Sequence, residues 1–351
     1  MKQGKRWGDV IIFTGLDNDP LVEGICLKLR EYLREDPQKG HIRYGYFDDG
    51  EIKDFFPEFD ELRGKTIVFY ECLKSFETTM RLLQLCWAAK YHYGAKHIII
   101  ATSFLHYRRQ DHPEKIHEIH RNRWLMEMMK ANGVDHLIVA TPHSDQTRKN
   151  CEDVGIVFRE VDYTEAFASV CKDFLPEKGE DKKAFVFAPD EGAIARAIAF
   201  ARLLDVDVLF KIKDRGHNNE VAIVEAAQEK IDQIIAKHGY DRLYYAIPER
   251  IKDAIMIMID DEVTTGTTAN KQAKNLLQWG SAMIMLFVTH PVCSNQWIEK
   301  LFDGEPFAKI CFTNTIFRGK MHRTNGGVHD VSAAGFMASG IFRVLRQLYD
   351  R

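Results

Sequence analysis

Two adjacent carboxylates, Asp260 and Asp261, close the apolar run AIMIMI (254–259), and after Glu262 and Val263 the chain enters TTGTT (264–268). That order of residue types has a chemistry. A strand that opens through a threonine–glycine loop into a helix presents backbone N–H groups and the positive end of the helix dipole, which together suit a phosphate. Gly266 lets the backbone approach a ligand closely, and the hydroxyls of Thr264, Thr265, Thr267 and Thr268 add donors. Carboxylates beside a phosphate repel it unless they face something else. Vicinal sugar hydroxyls donate to carboxylates, and a bound Mg2+ offsets their charge. A ribose with a 5-phosphate has all of these parts. A helix N-cap alone would account for one residue and leave the second acid and the threonine run unexplained.

Such a cluster must be positioned by strands and helices. Short β-rich runs lie at 9–15, 65–71, 97–105, 136–143, 184–190, 206–211, 243–247, 254–259, 282–290 and 309–316. Amphipathic segments such as 78–94 and 268–280 alternate with them, the latter closing on Gly280. Several strand runs are continuously apolar, as strands covered on both faces of a parallel sheet are. The pattern predicts an α/β fold with mainly parallel sheets flanked by helices. The polar segment LPEKGEDKK (175–183) reads as a linker or domain-edge loop, giving domains at 8–174 and 184–351. Ligands of such sheets bind beyond the carboxyl ends of the strands. Polar clusters follow apolar strands in SFLHYRRQDH, TPHSDQ, PDEG, KIKDRGHNN and DDEVTTGTT.

Composition narrows the partners. With 48 lysines and arginines against 51 aspartates and glutamates, a general nucleic-acid or membrane-surface role is not expected. No apolar stretch is long enough to span a bilayer, and MKQGKRWGDVIIF lacks the core of a secretory signal. The seven cysteines form no CxxC pair, so neither a zinc site nor a disulfide framework is expected, and a reducing cytoplasm is the expected location. HYRRQDHPEKIHEIHRNR (106–123) reads as a solvated loop and helix face.

The stretch DDEVTTGTT resembles the fingerprint of the type I phosphoribosyltransferase fold, in which two acids hold ribose hydroxyls and the loop holds the 5-phosphate. Other fragments, in matching order and spacing, resemble the ribose-phosphate pyrophosphokinases that share this fold. They are GYFDDGE (45–51), SFLHYRRQD (103–111), TPHSDQ (141–146), APDEGAIARA (188–197), THP (289–291), FTNTI (312–316) and the terminal SAAGFMASGIFRVL. The resemblance implies that Phe47, Asp49 and Glu51 meet the adenine of ATP, and that Arg109, Gln110 and His143 bind ATP, His143 also near the metal. It places Asp190 near Mg2+ and the ribose, and gives catalytic charge stabilisation to Lys211 and Lys213, with Arg215 further on. Asp260 and Asp261 hold the ribose hydroxyls, and Thr264, Thr265, Gly266, Thr267 and Thr268 the 5-phosphate. It further implies two phosphoribosyltransferase-like domains, the first on the nucleotide side and the second on the ribose-phosphate side. The substrates are ATP and ribose 5-phosphate, the products phosphoribosyl pyrophosphate and AMP. The resemblance also implies Mg2+ as cofactor and a homo-oligomer in which N-terminal residues of one subunit complete the ATP site of another.

This chain departs from the pattern at several positions. Lys213 stands where arginine is usual, Thr141 and Thr264 where acids are usual, Glu191 where a small or apolar residue is usual, and Thr267 in place of a second glycine. A helix-like segment at 220–239 is extra. These departures keep three alternatives open: a larger acceptor such as ADP-ribose, a phosphoribosyltransferase, or a non-catalytic regulatory homologue.

Overall fold

The computed structural model describes residues 7–15, 20–113, 117–176, 183–211, 231–294, 296–316 and 327–349. They form two compact units, one built on each of two all-parallel sheets.

The first sheet has six strands in the order β2-β1-β3-β4-β5-β6. These are β1 (Val10–Thr14), β2 (Gln38–Lys39), β3 (Thr66–Cys72), β4 (His97–Phe104), β5 (His136–Ala140) and β6 (Val157–Val161). β3 is buried at every position and β4 at all but its ends, as the unbroken apolar runs predict. On one face, Ile67, Phe69, Ile98, Ile100, Leu137 and Val139 pack with buried residues of the helices Phe76–Trp87 and Arg121–Ala131. The last helix of the chain, Ala334–Tyr349, lies on β4, β5 and β6. It can do so because Gly340 has no side chain there: a Cβ would stand 2.7 Å from Val161 Cγ2.

The second sheet has seven strands in the order β13-β12-β11-β10-β7-β8-β9. They are β7 (Ala184–Ala188), β8 (Asp207–Phe210), β9 (Leu243–Tyr245), β10 (Ile255–Val263), β11 (Met283–Pro291), β12 (Lys309–Thr313) and β13 (Val328–Val331). Its core joins Phe185, Met256, Leu286 and Phe312 with Ala273 and Leu276 of the helix Thr267–Gln278. The units do not follow a cut between 174 and 184. The helix Ala334–Tyr349 belongs to the first unit, while the helix Thr164–Lys172 packs with the helix Glu191–Leu204 in the second.

Each sheet has one place where the strand order reverses, and there the loops above neighbouring strands part to leave a crevice. In the first sheet it lies between β1 and β3, in the second between β7 and β10. The two crevices differ. In the first, Glu71 fills the space beside Gly15, where a Cβ would stand 1.9 Å from its Oε2. In the second, the loops after β7 and β10 carry Asp190 and the acid–threonine stretch.

Candidate active site

β10 does not stop where its apolar run stops. Pairing with β11 continues through Asp260 opposite Val288 and Glu262 opposite His290 to Val263 opposite Pro291, so the acids lie within the strand and not in a loop. The extension fixes both side chains on a rigid element. Asp261 is buried, while the Asp260 side chain remains half exposed. Arg196, on the helix Glu191–Leu204, reaches both: Nη1 lies 3.3 Å from Asp260 Oδ1 and 3.3 Å from Asp261 Oδ1. Asp260 Oδ1 also accepts the backbone N–H of Asp261 at 2.8 Å. Burial first, and then the charge of Asp261, hold the Asp260 carboxyl above the usual carboxylate range, with Arg196 acting in the opposite direction. The sequence reading passed over Arg196, whose only local signal is its place six residues after Asp190 on the same helix.

The threonine loop follows directly. Gly266 has φ +79°, and a Cβ there would stand 2.7 Å from Leu301 Cβ and 3.1 Å from Leu301 Cα, so both conformation and space require glycine. Thr267 opens the helix Thr267–Gln278, and Thr265 Oγ1 accepts its N–H at 3.4 Å and lies 3.1 Å from Thr267 Oγ1. Thr264 donates to Glu262 Oε1 at 3.3 Å, and its carbonyl accepts the Ser294 N–H at 2.7 Å. Behind the loop, buried Asn270 donates to the carbonyls of Leu301 and Asp303 at 2.9 and 2.8 Å. Thr268, beside Thr267, is exposed at the first turn. The cradle is thus tied from behind and open in front.

On the neighbouring strands, Asp190 caps the helix Glu191–Leu204, accepting the Ala193 N–H at 3.2 Å. Glu191 is an exposed acid in that helix's first turn, where the helix dipole favours it. Lys211 follows β8, its Nζ 5.3 Å from the centre of the Trp279 ring. Lys213 and Arg215 lie outside the described residues, as does 220–230, while 231–238 is helical.

In the first unit two predicted ATP loops are fastened together. Arg109 and Gln110 are exposed after β4, and His143 is exposed after β5. Beneath them, buried Asp111 accepts a hydrogen bond from Ser144, and buried Arg108 donates to the Thr141 carbonyl at 3.3 Å. Thr141 itself is buried and donates its N–H to the Val161 carbonyl at 2.9 Å. Asn150 joins the network, donating to the Asp111 carbonyl at 3.3 Å and to Asn122 Oδ1 at 2.8 Å. Tyr107 and Thr141 have φ of +58° and +30°, so both loops begin at a residue in a strained conformation.

GYFDDGE forms the end of an antiparallel excursion from the sheet, with Arg43 opposite Phe55 and Tyr46 opposite Ile52. Phe47 donates its N–H to the Glu51 carbonyl at 2.8 Å, and Asp49 Oδ1 accepts the Glu51 N–H at 3.1 Å. Phe47 is 49% exposed under the Lys53 ammonium, and Asp49 and Glu51 are exposed.

Among the described residues no three His, Cys, Asp or Glu side chains gather as a metal cage. Oxygen donors nevertheless suit Mg2+, which is commonly held by one or two carboxylates together with substrate phosphates and water. Asp190 offers such a carboxylate.

Comparison with known proteins agrees along the full length. The chain is 25% identical over 340 residues to the ribose-phosphate pyrophosphokinase of Ralstonia nicotianae, covering 96% of this chain and 95% of that one. It is 27% identical over 337 residues to the chloroplastic ribose-phosphate pyrophosphokinase 2 of Oryza sativa, covering 95% of this chain and 75% of that one. The crystal structure of the phosphoribosylpyrophosphate synthetase of Mycobacterium smegmatis superposes with a TM-score of 0.75 at 19% identity, covering 97% and 99% of the two chains. No family model matches the chain. The two parallel sheets, with the acid pair running into a threonine–glycine cradle, make this a protein of the phosphoribosyltransferase fold class. Within that class the chain is similar along nearly its whole length to ribose-phosphate pyrophosphokinases.

Proposed function

We propose that this protein transfers the β,γ-pyrophosphoryl group of Mg-ATP to the anomeric hydroxyl of ribose 5-phosphate. The observation that carries the reading is the continuous element from β10 to the helix Thr267–Gln278, with two strand-borne acids followed by an open anion cradle in the crevice of the second sheet. A 5-phosphate at the cradle places the sugar toward Asp260 and Asp261, whose oxygens accept from its hydroxyls as the hold of Arg196 is exchanged for them.

The anomeric oxygen attacks the β-phosphorus. Its O–P bond forms as the bond between the β-phosphorus and the oxygen bridging to the α-phosphorus breaks, AMP leaves with that oxygen, and the hydroxyl proton passes to solvent. Catalysis of this kind is mostly positioning and charge stabilisation. Lys211, which follows β8, supplies positive charge, a role that the resemblance also gives to Lys213 and Arg215. Asp190 would offer Mg2+ a carboxylate, the bound ion would neutralise phosphate charge, and the resemblance makes His143 a metal-associated residue of the ATP loops. Arg109, Gln110 and His143 bind the ATP, and the Phe47–Glu51 tip meets its adenine. The exposure of Phe47 at that tip supports a homo-oligomer in which the tip completes a neighbour's ATP site. Among the described residues no helix is long and apolar enough to cross a membrane.

The purified protein, given Mg-ATP and ribose 5-phosphate, is expected to form AMP and phosphoribosyl pyrophosphate in equal amounts, with none when the acceptor is omitted. Release of ADP and orthophosphate instead would overturn pyrophosphoryl transfer.

A further inference from the structure

The Phe47–Glu51 tip stands on a short two-stranded excursion, and an isolated two-stranded hairpin is marginal in water. Something must hold it. Arg81, on the helix Phe76–Trp87, is 2% exposed and uses every donor of its guanidinium on or beside the hairpin base. Nε and Nη2 grip Asp54 as a fork, at 2.9 Å to Oδ2 and 2.6 Å to Oδ1. Nη2 also donates to the Gly45 carbonyl at 3.3 Å. Nη1 donates to the Tyr46 hydroxyl at 2.8 Å and to Glu77 Oε1 at 3.2 Å, and the Tyr46 hydroxyl in turn donates to Glu77. The guanidinium carbon lies 4.8 Å from the centre of the Tyr46 ring and 5.5 Å from that of Tyr44.

Both strands of the hairpin are held by this one residue, Gly45 and Tyr46 on the way out and Asp54 on the way back. The Asp54 side chain is only 7% exposed, so the fork is a desolvated pair with geometry that a lysine could not reproduce. Beyond the fork the backbone bonds of the tip lie within the hairpin itself: Lys53 donates its N–H to the Gly45 carbonyl at 2.9 Å, Phe47 to the Glu51 carbonyl at 2.8 Å and Gly50 to the Phe47 carbonyl at 2.9 Å. Clamping the base while leaving the tip exposed is an arrangement that orders a recognition element before its ligand arrives, which lowers the entropy lost on binding.

We propose that Arg81 is a positioning residue for nucleotide recognition: through Asp54 and Tyr46 it holds the Phe47–Glu51 tip in the orientation that receives ATP. This rests on the pyrophosphoryl-transfer reading for its ligand, while the clamp itself is measurable without turnover. The test combines hydrogen exchange with steady-state kinetics on Arg81→Met, Arg81→Lys and Tyr46→Phe in the full-length protein.

In Arg81→Met the amides of Phe47, Gly50 and Lys53 exchange faster by about tenfold or more, while those of β3 and β4 keep their rates. KM for ATP rises with little change in kcat or in KM for the acceptor. Arg81→Lys behaves like the methionine variant, because a point charge cannot span Asp54 and Tyr46. Tyr46→Phe removes one exposed hydroxyl and gives a smaller change in the same direction, so it still decides the matter if Arg81→Met fails to fold. Unchanged exchange in the hairpin of Tyr46→Phe and Arg81→Lys would overturn the clamp. Faster exchange with an unaltered KM for ATP would overturn its role in recognition. A wild-type protein that forms no AMP would refute the assigned reaction, and the exchange data would still judge the clamp.

Discussion

Replacing Gly266 by alanine tests whether the phosphate cradle depends on backbone geometry. The substitution meets two separate obstacles. The residue sits at φ +79°, and a left-handed conformation costs a non-glycine residue about 1–2 kcal/mol. The new Cβ would also lie 2.7 Å from Leu301 Cβ and 3.1 Å from Leu301 Cα, atoms that a rotamer change cannot move away. Overpacking of this kind costs about 1–3 kcal/mol. The sum is about 2–5 kcal/mol, concentrated at the turn that leads into the helix Thr267–Gln278. Gly239 supplies the control. It has φ +59° in the same unit, with no atom within 4 Å of a built Cβ, so Gly239→Ala carries only the backbone part, about 1–2 kcal/mol. Urea unfolding of both variants, with hydrogen exchange at Ala269 and Asn270 as a local probe, measures the difference. Titration with ribose 5-phosphate measures the effect on the cradle, where about 1.4 kcal/mol corresponds to tenfold in affinity. Gly266→Ala should be the less stable by about 1–3 kcal/mol and should bind the acceptor at least about tenfold more weakly. Equal stability of the two variants, with unchanged acceptor binding, would refute the claim that Leu301 and the turn leave no room.

Asp260→Asn combined with Asp261→Asn should weaken acceptor binding far more than ATP binding, because amides keep the shape and lose charge-assisted hydrogen bonds; calorimetry with each ligand separates the two. The raised Asp260 carboxyl predicts a pH dependence of stability. A folded-state value above the unfolded one means that the native protein binds the extra proton. The contribution is therefore full below the ordinary carboxylate value and is lost as pH rises through the raised one. Asp260→Asn should flatten this acid-to-neutral decline in urea midpoints, and a steeper decline would contradict the sign. Lys211→Met should lower kcat while leaving ATP affinity close to wild type, as expected of charge that acts in the transition state; equal turnover would remove Lys211 from the chemistry.

The strands that the sequence reveals are those whose apolar character is unbroken, because burial on both faces leaves its mark on every residue. β3 reads as TIVFYEC and is buried throughout. The strands that escape detection are β2, β6 and β13, with sequences QK, VFREV and VHDV. They lie at or near sheet edges, where polar residues face solvent and also discourage unwanted pairing. β10 runs past its apolar stretch for a related reason: pairing is a backbone matter, and Asp260 stays in register with Val288 despite its charge. The acid pair and the threonine cradle are legible because they are contiguous. Arg196 meets Asp260 across 64 positions and Arg81 meets Asp54 across 27, and no local spacing rule reaches so far. Arg81 in particular reads as an ordinary member of an amphipathic helix until Asp54 is seen against it.

All seven cysteines are buried as free thiols. Burial raises the thiols of Cys26, Cys86, Cys151, Cys171 and Cys311, which leaves little thiolate at neutral pH. The folded protein is therefore expected to be nearly silent toward maleimides, with no native thiol to be removed first. A cysteine placed at exposed Asp48 would stand as a single reactive handle on that dark background. A fluorophore attached there would turn the hairpin tip into an optical reporter, read in real time on otherwise unaltered protein. Conversely, the appearance of maleimide reactivity in unlabelled protein would count the molecules that have opened, making the native thiols a built-in gauge of unfolding.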